Sequence, residues 1–291
     1  MQIALYGRMM DDEQGEHLLR LVSLLRSHDV DLVFHSGLKT WNSELKMLID
    51  SPLFFSSGSE LEGCDLLISV GGDGTLLDTI TVVRDSGLPV LGINTGRLGF
   101  LANVALSRMD EAVKAIVEGR YKLDKRSLIK VSSEQLDLGD FAYALNEVTI
   151  HKKDTASMIS IHVEVDGNYM NSYWADGLIV CTPTGSTAYS LSCGGPIVMP
   201  GSENITFTPI APHNLNVRPV VISNNHKVSL RAEGREKYHL LTLDSRSYPI
   251  NEFSVINLEK APFSVNLVVL EGQDFFSTIR NKLMWGIDRR N

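Results

Sequence analysis

A short apolar run, Leu66-Leu67-Ile68-Ser69-Val70, breaks at Gly71-Gly72 and restarts as Asp73-Gly74-Thr75-Leu76-Leu77. A buried strand that ends in glycine and reopens as a helix is a joint of parallel α/β architecture, and ligands of such sheets sit at the carboxyl ends of the strands. The flanking sequence repeats the alternation. Ile3–Tyr6 reads as a strand, and Glu13–Ser27 as a helix with Leu18, Leu21, Val22 and Leu25 at helical spacing. Asp31–His35 and Pro89–Asn94 read as strands, Leu76–Asp85 and Met109–Glu118 as helices, and Gly119 stops the last of these. Strands alternating with helices imply a parallel sheet covered on both faces.

The pattern changes near Tyr121. Ile159–Val165 alternates apolar and polar residues, Asp166-Gly167 follows, and Asn168–Trp174 continues, which is a hairpin signal. Lys227–Ala232 and Tyr238–Leu243 flank Glu233-Gly234 and predict a second hairpin, and Phe253–Leu258 with Phe263–Leu270 extend the period-two pattern. Asp274–Trp285 reads as a helix. The expected organisation is an α/β phosphate-binding domain over 1–120, with 272–291 packing back on it, and a β-rich domain over 121–271. A chain of 291 residues is long enough for two cores. Its net charge of −8 argues against nucleic acid as a partner, because phosphate backbones select basic surfaces. Cys64, Cys181 and Cys193 are odd in number and lack metal-ligand spacing, so neither a disulfide framework nor a zinc site is expected. The opening residues lack the pattern of a signal peptide, and apolar runs fall short of the roughly 20 residues that span a bilayer. A soluble, cytoplasmic protein with no membrane partner is expected.

Three segments carry chemistry. Glycines at 71, 72 and 74 let main chain approach a phosphate, and the helix that follows offers N–H donors and a positive dipole. No Gly-Lys-Ser or Gly-Lys-Thr follows, so the turn is not a P-loop. A carboxylate inside a phosphate cradle repels the phosphate, so Asp73 needs a reason to stand there, either taking a proton from an attacking hydroxyl or holding magnesium. The plain alternative is a helix cap. In the second segment, Asp176–Ser190, a strand runs into a loop where Thr184, Ser186, Thr187, Tyr189 and Ser190 form either a polar binding wall or a loop of local hydrogen bonds. In the third, the Asn146 amide can read a purine edge and Glu147 adds an acceptor, although by itself a dipeptide on a strand reads first as an exposed pair.

Together Gly71-Gly72-Asp73-Gly74-Thr75, Leu91-Gly92-Ile93-Asn94 with Leu98-Gly99-Phe100-Leu101, Asn146-Glu147, and Asp176-Gly177 through Gly194-Gly195-Pro196 resemble the NAD kinase family of bacterial type. Pro212-His213 and Arg218-Pro219 fit as well. The turn at 71–75 is shared with lipid kinases, and Thr182–Ser192 is the specific part. The resemblance implies a Rossmann-like α/β N-terminal domain and a β-rich, sandwich-like C-terminal domain. It also implies transfer of the ATP γ-phosphate to the adenosine ribose 2′-hydroxyl of NAD, giving NADP. Asp73 is then the general base, with Gly72, Gly74 and Thr75 against the dinucleotide. Asn146 and Glu147 contact the adenosine part, Asp176 the nicotinamide part in its own or a neighbouring subunit, and Thr187, Ala188, Tyr189, Ser190, Leu191 and Ser192 line the adenine pocket. Trp174, Ala211 and Arg246 complete the expected binding set. Magnesium or another divalent cation accompanies ATP, and the family implies a homodimer or homotetramer.

The chain departs from the family at two places. Trp174 stands where many bacterial relatives carry a basic residue, and Ser157 where they often carry histidine or another polar group. Arg246 either replaces that charge or sits exposed on a turn. His213 reads as a structural hydrogen bond, and Lys152-Lys153 as a solvated surface pair. A lipid kinase of the diacylglycerol or sphingosine type and a non-catalytic NAD(P)-binding sensor are the alternatives.

Overall fold

A computed structural model of the chain describes residues 1–8, 12–49, 52–96, 99–153 and 158–284; Leu98, Ser157 and Trp285 lie outside the described residues. Two compact units result, one of 1–125 with 265–291 and one of 126–264.

In the first unit the elements are β1 (Gln2–Tyr6), α1 (Asp12–Arg26), β2 (Asp31–His35), α2 (Asn42–Leu48), β3 (Leu53–Phe55), β4 (Leu66–Val70), α3 (Asp73–Val83), β5 (Val90–Asn94), β6 (Val104–Ala105) and α4 (Met109–Val117). The strands pair in parallel in the order β3-β2-β1-β4-β5, with β6 beside the end of β5. β4 and β5 are buried at every position, as strands covered on both faces must be. α1 buries Leu18, Leu21, Val22 and Leu25 on one stripe, with Asp12 and Glu13 in its first turn and Arg26 in its last, the charge order that suits a helix dipole. The strand order reverses direction between β1 and β4. Their carboxyl ends, at Gly7-Arg8 and Gly71-Gly72, therefore flank the crevice where ligands of this architecture bind.

The second unit contains β8 (Tyr143–Ala144), β9 (Glu147–Lys152), β10 (Ile159–Val165), β11 (Asn168–Ala175), β12 (Gly177–Cys181), α5 (Tyr189–Ser192), β13 (Asn204–Ile210), β14 (Val220–Ser223), β15 (Val228–Glu233), β16 (His239–Leu243) and β17 (Arg246–Ile250). Two long strands, β7 (Tyr121–Ser132) and β18 (Val255–Leu270), pass from one unit into the other, and α6 (Phe275–Leu283) closes the described chain. Within this unit β11-β10-β15-β18 form one antiparallel sheet and β14-β13-β12-β9-β16-β17 another. Val148, Ile150, Val180 and Phe207 of one sheet meet Ile161, Val163, Leu230 and Ile256 of the other in a shared apolar core, a β-sandwich.

The Asp166-Gly167 hairpin forms as expected, with φ of 50° and 76°, the left-handed pair a two-residue turn requires. The hairpin expected at Glu233-Gly234 does not form. β15 pairs with β10 and β18, whereas β16 pairs with β9 and β17, so the chain crosses between sheets there. Period-two patterning tells which face is buried, not which strand lies alongside. The two strands expected over 253–258 and 263–270 are one strand of 16 residues. α6 is capped by Asp274, whose carboxylate accepts the Ser277 N–H at 2.9 Å. Among the described residues no helix is long and apolar enough to cross a membrane.

Candidate functional site

The site residues of the first unit gather at the β4–α3 joint. Gly72 is the helix N-cap and Asp73 the first helical residue. The Asp73 side chain does not cap its own helix. It reaches across to the 99–102 segment, where Oδ2 accepts from Phe100 N–H at 2.8 Å and Oδ1 accepts from Leu101 and Ala102 N–H at 3.1 and 2.8 Å. A Cβ on Gly99 would fall 1.7 Å from Asp73 Oδ1, so the close approach needs glycine there. Buried Asn94 steadies the same segment, accepting Gly96 N–H at 2.8 Å and donating to Ala102 O at 3.3 Å. The two motifs around Gly71–Thr75 and Leu91–Leu101 are thus one piece of structure. Thr75 is buried against Gly71, and Gly74 presents its carbonyl toward Arg8 at 3.4 Å. Arg8 also pairs with Asp78, one turn along α3. Sequence reasoning missed Arg8; the available signal was Gly7-Arg8 directly after the first strand, the position that Gly71-Gly72 occupies after β4.

In the second unit Asn146 directly precedes β9 and Glu147 opens it. Every main-chain polar group from 145 to 147 has a protein partner. Asp244 accepts the N–H groups of Leu145, Asn146 and Glu147 at 2.9, 2.8 and 3.2 Å and donates its own N–H to Glu147 O at 3.0 Å. Thr182 donates its hydroxyl to Leu145 O at 2.6 Å and its N–H to Asn146 O at 2.9 Å. The side chains are the opposite case. Asn146 Oδ1 and Glu147 Oε2 are buried and lack a protein partner, an arrangement that costs free energy unless a ligand or water completes it. Burial raises the Glu147 carboxyl to about 8, with the nearby Asp244 charge adding and the Tyr189 N–H opposing. Burial likewise raises Asp244 above the carboxylate range.

The hydroxyl-rich loop divides in two. Ser186 is buried, donates to Pro183 O at 2.7 Å and accepts Val198 N–H at 3.0 Å. Ser190 is buried and bonds the Thr208 hydroxyl at 2.8 Å, and Thr187 donates to Thr184 O at 3.3 Å. These hydroxyls make local hydrogen bonds. Tyr189, 41% exposed, and Ser192 face outward, while Ala188 and Leu191 are half-buried. Burial raises the Tyr189 phenol, with the neighbouring Cys193 and the charges of Asp176 and Glu147 adding.

Asp176 follows β11 and pairs with Lys152 Nζ at 2.6 Å. Lys152, with its side chain only 15% exposed, is therefore not the solvated residue its sequence context suggests; Lys153 is exposed. A basic partner for Asp176 thus comes from the adjacent β9 strand. Trp174 is 45% exposed and lies against the His213 ring at 4.6 Å, and His213 N–H donates to Trp174 O at 2.9 Å. Ala211, exposed, holds a left-handed φ of 43°, a conformation L side chains rarely adopt. Arg246 donates to Phe141 O and Tyr143 O and stacks its guanidinium on the Phe141 ring at 5.2 Å, so its charge serves the main chain of 141–143.

Two family models match the chain, the ATP-NAD kinase N-terminal domain over residues 55–121 and the ATP-NAD kinase C-terminal domain over 145–270. The chain is 42% identical to the NAD kinase of Flavobacterium psychrophilum over 294 residues, covering 100% of both chains. It is 40% identical to that of Bacteroides fragilis, again over 100% of both. Among solved structures, an NAD kinase from Archaeoglobus fulgidus in complex with ATP superposes with a TM-score of 0.75 at 28% identity, covering 98% of this chain and 99% of that one. Yeast NADH kinase complexed with NADH superposes with a TM-score of 0.86 at 21% identity, covering 99% and 89%, a likeness of fold.

Proposed function

The chain belongs to the ATP-NAD kinase family, and from that membership we propose that it transfers the γ-phosphoryl group of ATP to the 2′-hydroxyl of the adenosine ribose of NAD, giving NADP. The observation that carries this reading is full-length likeness, at 42% identity, to a curated NAD kinase. It disfavours both the lipid kinase and the non-catalytic sensor.

Asp73 acts as general base. An ionised carboxylate offers about four lone-pair positions. Three are engaged by Phe100, Leu101 and Ala102, which orients the group and leaves one position on Oδ2 for the hydroxyl proton. A ribose hydroxyl is a weak acid, so the carboxylate helps as the proton leaves in the transition state. Asn146 and Glu147 hold the adenosine part through their orphaned oxygens; at neutral pH the Glu147 carboxyl keeps its proton and can donate to a ribose or base acceptor. Tyr189 offers an exposed ring for adenine, and Asp176, with Lys152, receives the nicotinamide side. Gly72, Gly74 and Thr75 form the turn against the dinucleotide, and Arg8 is suited to meet phosphate charge there. Among the described residues no three His, Cys, Asp or Glu side chains converge into a metal cage. Magnesium would accompany ATP on its triphosphate oxygens and neutralise charge on the transferring group. Self-association into a homodimer or homotetramer belongs to the same reading.

The test is a coupled assay for NADP from NAD, ATP and magnesium; protein that binds NAD and forms no NADP removes the proposal. Asp73→Asn is expected to keep NAD binding and lose about a hundredfold or more in kcat. Near-normal turnover by that variant would refute the base.

A further inference from the structure

The β16–β17 turn grips the segment before β9 twice. At one end Asp244 collects three consecutive N–H groups and returns its own to Glu147 O. At the other, two residues on, Arg246 donates to the carbonyls of Phe141 and Tyr143. Asp244 does this from a left-handed φ of 51°, a conformation that aspartate and asparagine tolerate better than most residues. Thr182 completes the main-chain pairing from the opposite strand. The main chain of 145–147 is thereby saturated, and the polar atoms left without a protein partner are on the side chains, Asn146 Oδ1 and Glu147 Oε2. Had the Asp244 carboxylate been absent, three N–H groups would compete for those same side-chain oxygens or for water.

We infer that Asp244 is a positioning residue for NAD: it acts through Asn146 and Glu147, satisfying their main chain so that Asn146 Oδ1 and Glu147 Oε2 are left for the dinucleotide. The inference rests on the reading above that Asn146 and Glu147 contact the adenosine part. The partition explains why a carboxylate is kept where burial disfavours its charge: N–H donors from three successive residues converge on one point.

Steady-state kinetics of the full chain test it, with NAD and magnesium-ATP varied in turn, for Asp244→Asn, Asn146→Ala and the double variant. Asparagine keeps the size of the side chain and tolerates the left-handed backbone but loses the charge and one acceptor. Asp244→Asn is expected to raise KM for NAD about tenfold more than KM for ATP. The double variant is expected to fall well short of the product of the two single effects, because Asp244 acts in part through Asn146. If Asn146→Ala raises KM for NAD while Asp244→Asn moves both KM values alike or neither, the positioning role is overturned and the substrate reading stands. Multiplying effects in the double variant overturn it too. An unchanged KM for NAD in Asn146→Ala removes the substrate reading and this inference with it. Asp244→Gly, which deletes the carboxylate and relaxes the backbone, is measured alongside; the same tenfold split is expected, and its absence counts against the role.

Discussion

Asp73 orders a loop and is the proposed general base. Its carboxylate organises the 99–102 segment through three N–H groups, and the segment in turn fixes the direction of the carboxylate. Gly99 is the residue that permits this, since any Cβ there would sit within bonding distance of Oδ1. Gly99→Ala should therefore displace the Asp73 carboxylate and lower kcat toward the level of Asp73→Asn, about a hundredfold, although residue 99 has no chemistry of its own. Wild-type kcat in purified Gly99→Ala would show that the geometry around Asp73 is immaterial to turnover. Arg8 belongs to the same scale. Its position after the first strand is a weak sequence signal, and its pairing with Asp78 and Gly74 O places it beside the 71–75 turn.

At the scale of elements, the hydroxyl-rich loop is two surfaces in one stretch of chain. A four-residue helix, α5, turns successive side chains by about 100°, so adjacent residues cannot share an environment. Ser190 points inward to Thr208 and Tyr189 points outward. Ser190→Ala is expected to cost about 1 kcal/mol of stability, read as a lowered thermal midpoint, with KM for NAD unchanged. Tyr189→Ala is expected to leave the midpoint in place and raise KM for NAD about fivefold. The reverse pattern would mean the inward and outward assignments do not map onto stability and binding. The strand–helix joint and the Asp166-Gly167 hairpin were legible in the sequence because each is settled within a few residues. The Glu233-Gly234 prediction failed because a dipeptide between two alternating runs signals a change of direction, while β15 and β16 pair with partners in different sheets.

At the scale of the whole molecule, the raised Glu147 carboxyl makes stability depend on pH. Its folded value of about 8 stands above the 4.5 of the unfolded chain. Between those values the folded protein holds a proton that the unfolded chain has released. The contribution is therefore fully present below 4.5 and is lost as pH rises through 8, at about 1.4 kcal/mol per unit. Chemical denaturation of the ligand-free protein at intervals from pH 5 to 8.5 should show stability falling over this range, and Glu147→Gln should flatten the fall. An identical slope in that variant would place the pH dependence elsewhere. Asp244, raised by the same burial, adds a contribution of the same sign that Glu147→Gln leaves in place. The domain bounds expected at 120 and 271 lie at the ends of β7 and β18, while the contacts change partway along these strands, which pass from one core to the other.

Sequence alone determined the alternation that makes a parallel sheet, the glycine-rich joint at the carboxyl end of its β4 strand, and the motifs that resemble one family, because each is written in neighbouring residues. The tertiary structure alone decided which groups serve those motifs. Asp73 meets Phe100 across 27 positions and Asp244 meets Asn146 across 98, and Lys152 reaches Asp176 from another strand. Such bonds depend on strand register and on which sheet a strand joins, and short-range patterning specifies only the face a side chain occupies.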